Sequence, residues 1–186
     1  MALKSTIFKA SIQLADIDHG YYADHALTLA RHPSETNERM MVRIVALALN
    51  AYLLVDLCSG DGRIGFGAGL SDPDDPDVWL DDFTGRRRLW IEVGQPDEKA
   101  LTRARSRTER IAVYAYSQAS PIWWAGLEQR VRRFDALEVW QLDADASASL
   151  ERMADRSMQL QATVQDGQLT LSSQNAAVSL EPIRLK

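Results

Sequence analysis

The chain has 186 residues, 46% hydrophobic and 25% charged, with 10 Gly and 6 Pro; this is the composition of an ordinary globular protein folded as one domain over residues 1–186, not of a disordered or fibrous one. No apolar run is long enough to span a membrane, since Met40 to Val55 is broken by Arg43 and Asn50, and with no signal-peptide pattern and a lone Cys58 the expected setting is cytoplasmic and reducing. The net charge of −5 hides an asymmetry, because Arg86 to Arg133 holds 11 basic against 5 acidic residues, a local +6 against −11 for the rest, and it is local sign that selects a partner.

Residues 3 to 17 alternate as a strand whose better buried parity is Thr6, Phe8, Ala10, Ile12 and Leu14. Asp16 to Gly20 supplies a turn, and Tyr22 to Ala30 returns as the second arm of a hairpin. Pro33-Ser34 then opens a helix, with Ser34 as the candidate N-cap and Glu35 and Glu38 in its first turns, running to about Leu54. From Ser59 to Asp82 the chain turns to Gly and Asp. Gly65, Gly67 and Gly69 lack the GK[ST] and following helix of a P-loop, so they serve backbone approach or a bend. Pro73 and Pro76 bracket the acids Asp72, Asp74, Asp75 and Asp77 ahead of a strand at Val78 to Leu80. Further strands are expected at Leu89 to Val93, Ile111 to Tyr116 and Leu137 to Leu142, with helices opened by Pro96 and Pro121 between them. A short helix near Ser147 to Met153 precedes a C-terminal hairpin, Met158 to Gln165 and Leu169 to Ser173 around Asp166-Gly167. The expected fold is α/β, a mixed central β-sheet flanked by helices, with the N- and C-terminal β-hairpins extending it.

Three carboxylates fall at places that point to chemistry. Asp77 begins one strand, and Glu92 lies in another among Leu89, Trp90, Ile91 and Val93, where an unpartnered carboxylate is costly. Arg43 is expected to mark the solvent side of the first helix, which leaves Glu38 near the face of Met41 and Val45. Glu35 is its rival. Converging carboxylates make a hard-oxygen site for Mg2+ or Mn2+.

The strings MALKSTIFKASIQLADID, LTLARHPSETNERMM, LWIEVGQPDE, PIWW and MQLQATVQDGQLTLS resemble the YaeQ family over nearly the whole chain. That family is similar in fold to the PD-(D/E)XK, or restriction-endonuclease-like, superfamily. The resemblance implies a restriction-endonuclease-like core in which Asp77 stands for the PD aspartate, Glu92 for the acidic (D/E) position and Glu38 for a helix carboxylate. It also exposes a departure: where the lysine is expected, two residues after Glu92, this chain has Gly94. Lys99, early in the next helix, is the first candidate for a displaced cation.

The leading functional expectation is therefore a Mg2+- or Mn2+-dependent nuclease acting on DNA or RNA. Asp77 and Glu92 are its expected metal ligands, Glu38 assists, Lys99 is the catalytic cation, and Arg103 and Arg107 contact nucleic acid. The alternative is a non-catalytic nucleic-acid- or protein-binding regulatory protein that keeps the fold, and Gly94 favours it. Weaker signals are His19, His25 and His32, which lack paired ligand spacing, and Trp123 and Trp124, which fit core packing better than base stacking.

Overall fold

The computed structural model describes residues 4–72 and 74–186. Leu3, at the head of the expected first strand, and Pro73, beside the acidic run, lie outside the described residues. The expected secondary structure is present, but it builds two sheets instead of one.

The first sheet has five strands in the order β10-β9-β8-β1-β2. Strand β1 (Thr6–Asp16) pairs antiparallel with β2 (Tyr21–Arg31). Strands β8 (Ser157–Gln165), β9 (Gln168–Ser172) and β10 (Ala177–Leu180) follow one another antiparallel. Asp166 and Gly167 take φ of 53° and 76° at the β8–β9 turn, which is the left-handed pair that a tight hairpin needs. The two terminal hairpins join through a parallel ladder from Lys9↔Ser157 to Asp16↔Val164. They were expected to extend the central sheet. They pair with each other instead because both β1 and β8 alternate strictly: Ala10, Ile12 and Leu14 lie opposite Met158, Leu160 and Ala162, and these six, with Phe8 and Val164, are buried. Joined, they present one continuous apolar face to the interior.

The second sheet has six strands in the order β11-β7-β6-β5-β4-β3. These are β3 (Gly62–Phe66), β4 (Val78–Asp82), β5 (Arg87–Val93), β6 (Arg110–Ala115), β7 (Leu137–Gln141) and β11 (Ile183–Arg184). Its centre is parallel, β5-β6-β7, and antiparallel strands flank it on both sides. Helices α3 (Glu98–Arg105) and α4 (Ser120–Leu127) are the crossovers between the parallel strands. Both cover one face, where Trp90, Leu101, Ile111, Val113, Leu127 and Val139 pack together with Trp123 and Trp124 at the edge.

Helix α1 (Asn37–Asn50) lies in the main core, shared with the inner faces of both sheets, and this decides its character. Met40, Met41, Val42, Ile44, Val45, Ala46 and Ala48 are each 0% exposed, so the helix is enclosed on every side along this stretch, which its predominantly apolar composition suits. Arg43 is also 0% exposed. The expectation that Arg43 marks a solvent side therefore fails, because α1 has no solvent side along that stretch. The helix also starts later and ends sooner than expected. Thr36, not Ser34, accepts the capping bond from the Arg39 backbone N–H at 3.1 Å, and a break at Ala51 and Tyr52 separates α1 from α2 (Leu53–Cys58). A last short helix, α5 (Ala144–Ser149), runs into a 3-10 turn at Leu150–Met153 that packs on α1.

Candidate functional site

The site forms where the amino-terminal end of α1 meets the beginning of β4 and the end of β5. Asp77 immediately precedes β4, and its backbone N–H donates to the Ile91 carbonyl at 3.0 Å. The ladder ends at Val78, which pairs with Ile91; Asp77 turns its carboxylate toward Arg39 and Arg43 of α1, whereas Glu92 shares the parity of Trp90 and accepts its Nε1 on the α3 side. The two expected ligands thus face different helices. The Asp77 charge is one of the causes that raise the Glu92 pKa, which is pushed up to about 7 first by burial and then by Asp77. A bond of 2.7 Å from Trp90 Nε1 opposes that rise, as do the more distant charges of Arg39 and Arg103.

Asp77 is 3% exposed and richly partnered. The Val93 backbone N–H donates to Oδ2 at 2.7 Å. Arg39 Nη2 donates to both carboxylate oxygens, each at 2.8 Å, and also reaches the Val93 carbonyl at 3.3 Å. Arg43 Nε stands 3.7 Å from Oδ1. Glu35 ties the arginines together, accepting from Arg39 Nη1 at 2.6 Å and pairing with Arg43 at 3.3 Å. Arg43 spends its remaining donors on backbone carbonyls, Gly67 at 2.9 Å and Ala30 at 3.2 Å. A buried network of two acids and two guanidiniums is costly to desolvate unless its members are matched; here the terminal nitrogens of both arginines find oxygen partners among the acids and the backbone, and Arg43 Nε stands near Asp77 without a hydrogen bond among the described residues.

Arg39 and Arg43 were missed by sequence reasoning. The signal was the four-residue spacing of Glu35, Arg39 and Arg43, which lines up Arg39 and Arg43 on one face of α1 below Glu35, just ahead of the helix; Arg43 was instead assigned to solvent. Glu35, considered only as a rival ligand, is the anchor of the arginines.

Glu38 stands apart from Asp77 and Glu92. Its pKa is raised by burial and then by Glu151, in the 3-10 turn after α5. Tyr116, just beyond β6, feels the charges of Arg39, Glu38, Asp77 and Glu35, so Glu38 lies on the same side as the Arg39–Asp77 pair. Lys99 is exposed and makes no ion pair among the described residues. It is not among the charges acting on Glu92; Arg39, which also bonds Asp77, is. Gly94 has φ of +108°, and a Cβ there would meet nothing within 4 Å. The position has space for a side chain but a backbone that disfavours one.

Arg103 and Arg107 both bind the acidic loop before β4. Arg103 Nη1 donates to Asp74 Oδ1 at 2.5 Å and Arg107 Nη1 to the Asp74 carbonyl at 2.7 Å. Arg87 likewise meets Asp81 at 2.7 Å, Arg88 meets Glu109 at 2.9 Å, and Arg110 meets Glu138 at 3.0 Å. Much of the basic segment is thus neutralised, by Asp74, Asp81 and Glu138 from the acidic remainder and by Glu109 from within the segment.

Chemically, one point in this site is a cation position. Both oxygens of Asp77 and the carbonyl of Val93 converge on it, and Arg39 Nη2 fills it. The donors are hard oxygens of the type that hold Mg2+ or Mn2+.

Residues 1–182 match the family described as YaeQ protein. The YaeQ protein of Salmonella typhi is 45% identical over 173 residues, 92% of this chain and 91% of that one. That of Escherichia coli (strain K12) is 43% identical over 173 residues, with the same 92% and 91% covered. Among solved structures, the YaeQ protein from Xanthomonas axonopodis pv. citri superposes with a TM-score of 0.88 at 40% identity, covering 98% of both chains. The YaeQ protein from Pseudomonas syringae gives 0.87 at 30% identity, covering 98% of this chain and 96% of that one. The chain belongs to the YaeQ family.

Proposed function

We propose that this YaeQ-family chain has a restriction-endonuclease-like core and acts as a divalent-cation-dependent phosphodiesterase on nucleic acid, with Asp77 and the Val93 carbonyl as the cation's protein ligands. The observation that carries the reading is the position of Arg39 Nη2. A positive group sits there already, held by three oxygens, and a donor set that selects a guanidinium nitrogen also suits a hard metal ion. The site lies at the carboxyl end of β5, where open parallel sheets place their ligands. A bound Mg2+ or Mn2+ would polarise a phosphoryl oxygen and acidify a water.

The chain's own residues supply the rest. Asp77 is oriented by the Val93 N–H, so its carboxylate is fixed before anything binds. Arg39 keeps its second nitrogen on Glu35 when Nη2 leaves Asp77, and from there its permanent positive charge faces the charge that develops on phosphate. It takes the charge-stabilising role for which Lys99 was considered. It cannot act as a base, because a guanidinium does not lose its proton in this range.

A second reading is favoured by the same contact. Arg39 bound to both oxygens of Asp77 neutralises the carboxylate without a metal, and Gly94 has replaced the lysine, as in a protein that keeps the fold for binding only. Titration with Mn2+ separates the two. Binding by the wild type that is lost in Asp77→Asn, together with cleavage of DNA or RNA lost in the same variant, supports the enzyme. Binding that develops only in Arg39→Met supports the non-catalytic reading, and no binding in either protein removes the cation site altogether.

A further inference from the structure

The two sheets leave a cavity of about 210 Å3 where the carboxyl-terminal end of α1 emerges between them. It is separate from the Asp77 site, since Asn50 on its wall is eleven residues along α1 from Arg39, about 16 Å at the rise of a helix. Aromatic rings form much of its lining, contributed by His19, Tyr52, Tyr114 and Trp140. They are held in place. His19 stacks flat on Tyr52 with centroids 3.6 Å apart and planes 5° from parallel, and its Nδ1 is bound at 2.9 Å by Asp16, which is 0% exposed. The Tyr114 hydroxyl accepts from Asn50 Nδ2 at 2.8 Å. Trp140 already receives a cation, with the Arg184 guanidinium 5.6 Å from its ring centre.

The carboxylates on the wall are Asp18 and Glu138, and His19, the one basic side chain among the described lining residues, is already engaged by Asp16. Asp18 lines the cavity, and its oxygens accept the backbone N–H groups of Asp166 and Gly167, each at 2.8 Å. Glu138 lines it as well, with Oε1 on Arg110 and Oε2 without a partner among the described residues. No lysine or arginine is among the described lining residues. Preorganised aromatic faces beside carboxylates attract an organic cation, because the ring quadrupole and the acids act with the same sign. Size limits the guest: a cavity of about 150 Å3 holds benzene, so this one takes a single ring or an equivalent branched body with a short charged arm.

We propose that this cavity between the sheets is a binding site for an organic ammonium ion with an apolar body about one ring in size. The inference does not depend on the function of the Asp77 site. Its test uses three probes of one shape, phenethylammonium, phenylacetamide and phenylacetate, titrated into the full chain by calorimetry and ligand-detected NMR. The ammonium should bind about tenfold more tightly than the amide, and the carboxylate should not bind. Trp140→Leu and the nearly isosteric Glu138→Gln should each weaken the ammonium about tenfold. Glu138→Gln keeps the test decisive if Trp140→Leu does not fold. Equal affinity for ammonium and amide overturns the cation preference. Equal affinity in wild type and Glu138→Gln places the binding elsewhere, and no binding of any probe at millimolar concentration overturns the site.

Discussion

Arg39 and Asp77, thirty-eight positions apart in sequence, meet through one guanidinium nitrogen that donates to both carboxylate oxygens at 2.8 Å. The bond links α1 to the start of β4, and the Val93 N–H ties the same carboxylate to the end of β5.

Removing one member of this buried network leaves its partners charged and unmatched. Asp77→Ala should lower stability by about 3–5 kcal/mol, read as a shift in the urea midpoint with no change in slope. Asp74→Ala is the control, because Asp74 is exposed and its side chain is 58% accessible. If Asp77→Ala costs no more than Asp74→Ala, the network does not hold the sheet to the helix.

Glu92 makes stability depend on pH. Its folded-state pKa of about 7 lies above the ordinary 4.5, so between those values the native protein holds a proton that the unfolded chain has lost. The contribution is complete below pH 4.5 and is lost as pH rises through about 7. Glu92→Gln should match the wild type at acid pH and exceed it at pH above 7 by about 1–3 kcal/mol. Thermal melts across that range measure it, and parallel curves for both proteins would falsify the buried-acid assignment.

Placing a lysine two residues after Glu92, by Gly94→Lys, should lower stability. The φ of +108° at Gly94 costs a side-chain-bearing residue about 1–2 kcal/mol, although nothing blocks the new Cβ. Gly94→Ala should show the same loss by denaturation, since the strain belongs to the backbone. A neutral Gly94→Ala would mean that the loop relaxes.

Arg103 and Arg107 are engaged by Asp74, so any role on nucleic acid competes with that loop. Asp74→Asn should strengthen retention of DNA or RNA at low salt and steepen its salt dependence, whereas paired Arg103→Glu and Arg107→Glu should weaken both. Filter binding at several salt concentrations checks this. No retention by any of these proteins leaves the two arginines as structural clamps on the acidic segment.

The sequence by itself determined what is local. Alternation in β1 and β8, the Asp166-Gly167 turn and the apolar stretch of α1 are patterns of neighbouring residues, and strands, hairpins and helix followed from them with small shifts at their ends. It also singled out Glu92, because an acid in an apolar strand is conspicuous, and Asp77, as the acid that follows Pro76 at the head of a strand. Tertiary structure decided which elements met. Only the pairing of β1 with β8 made a second sheet, and only that sheet, covering the far side of α1, turned Arg43 from an expected surface residue into a buried partner of Glu35 and Asp77. Charge follows the same division. Composition showed a basic segment and an acidic remainder, but whether they face solvent or each other depends on contacts between distant residues, such as Arg103 with Asp74 and Arg110 with Glu138. A pattern in one segment records the environment that segment needs, whereas an ion pair needs two segments to arrive at the same place.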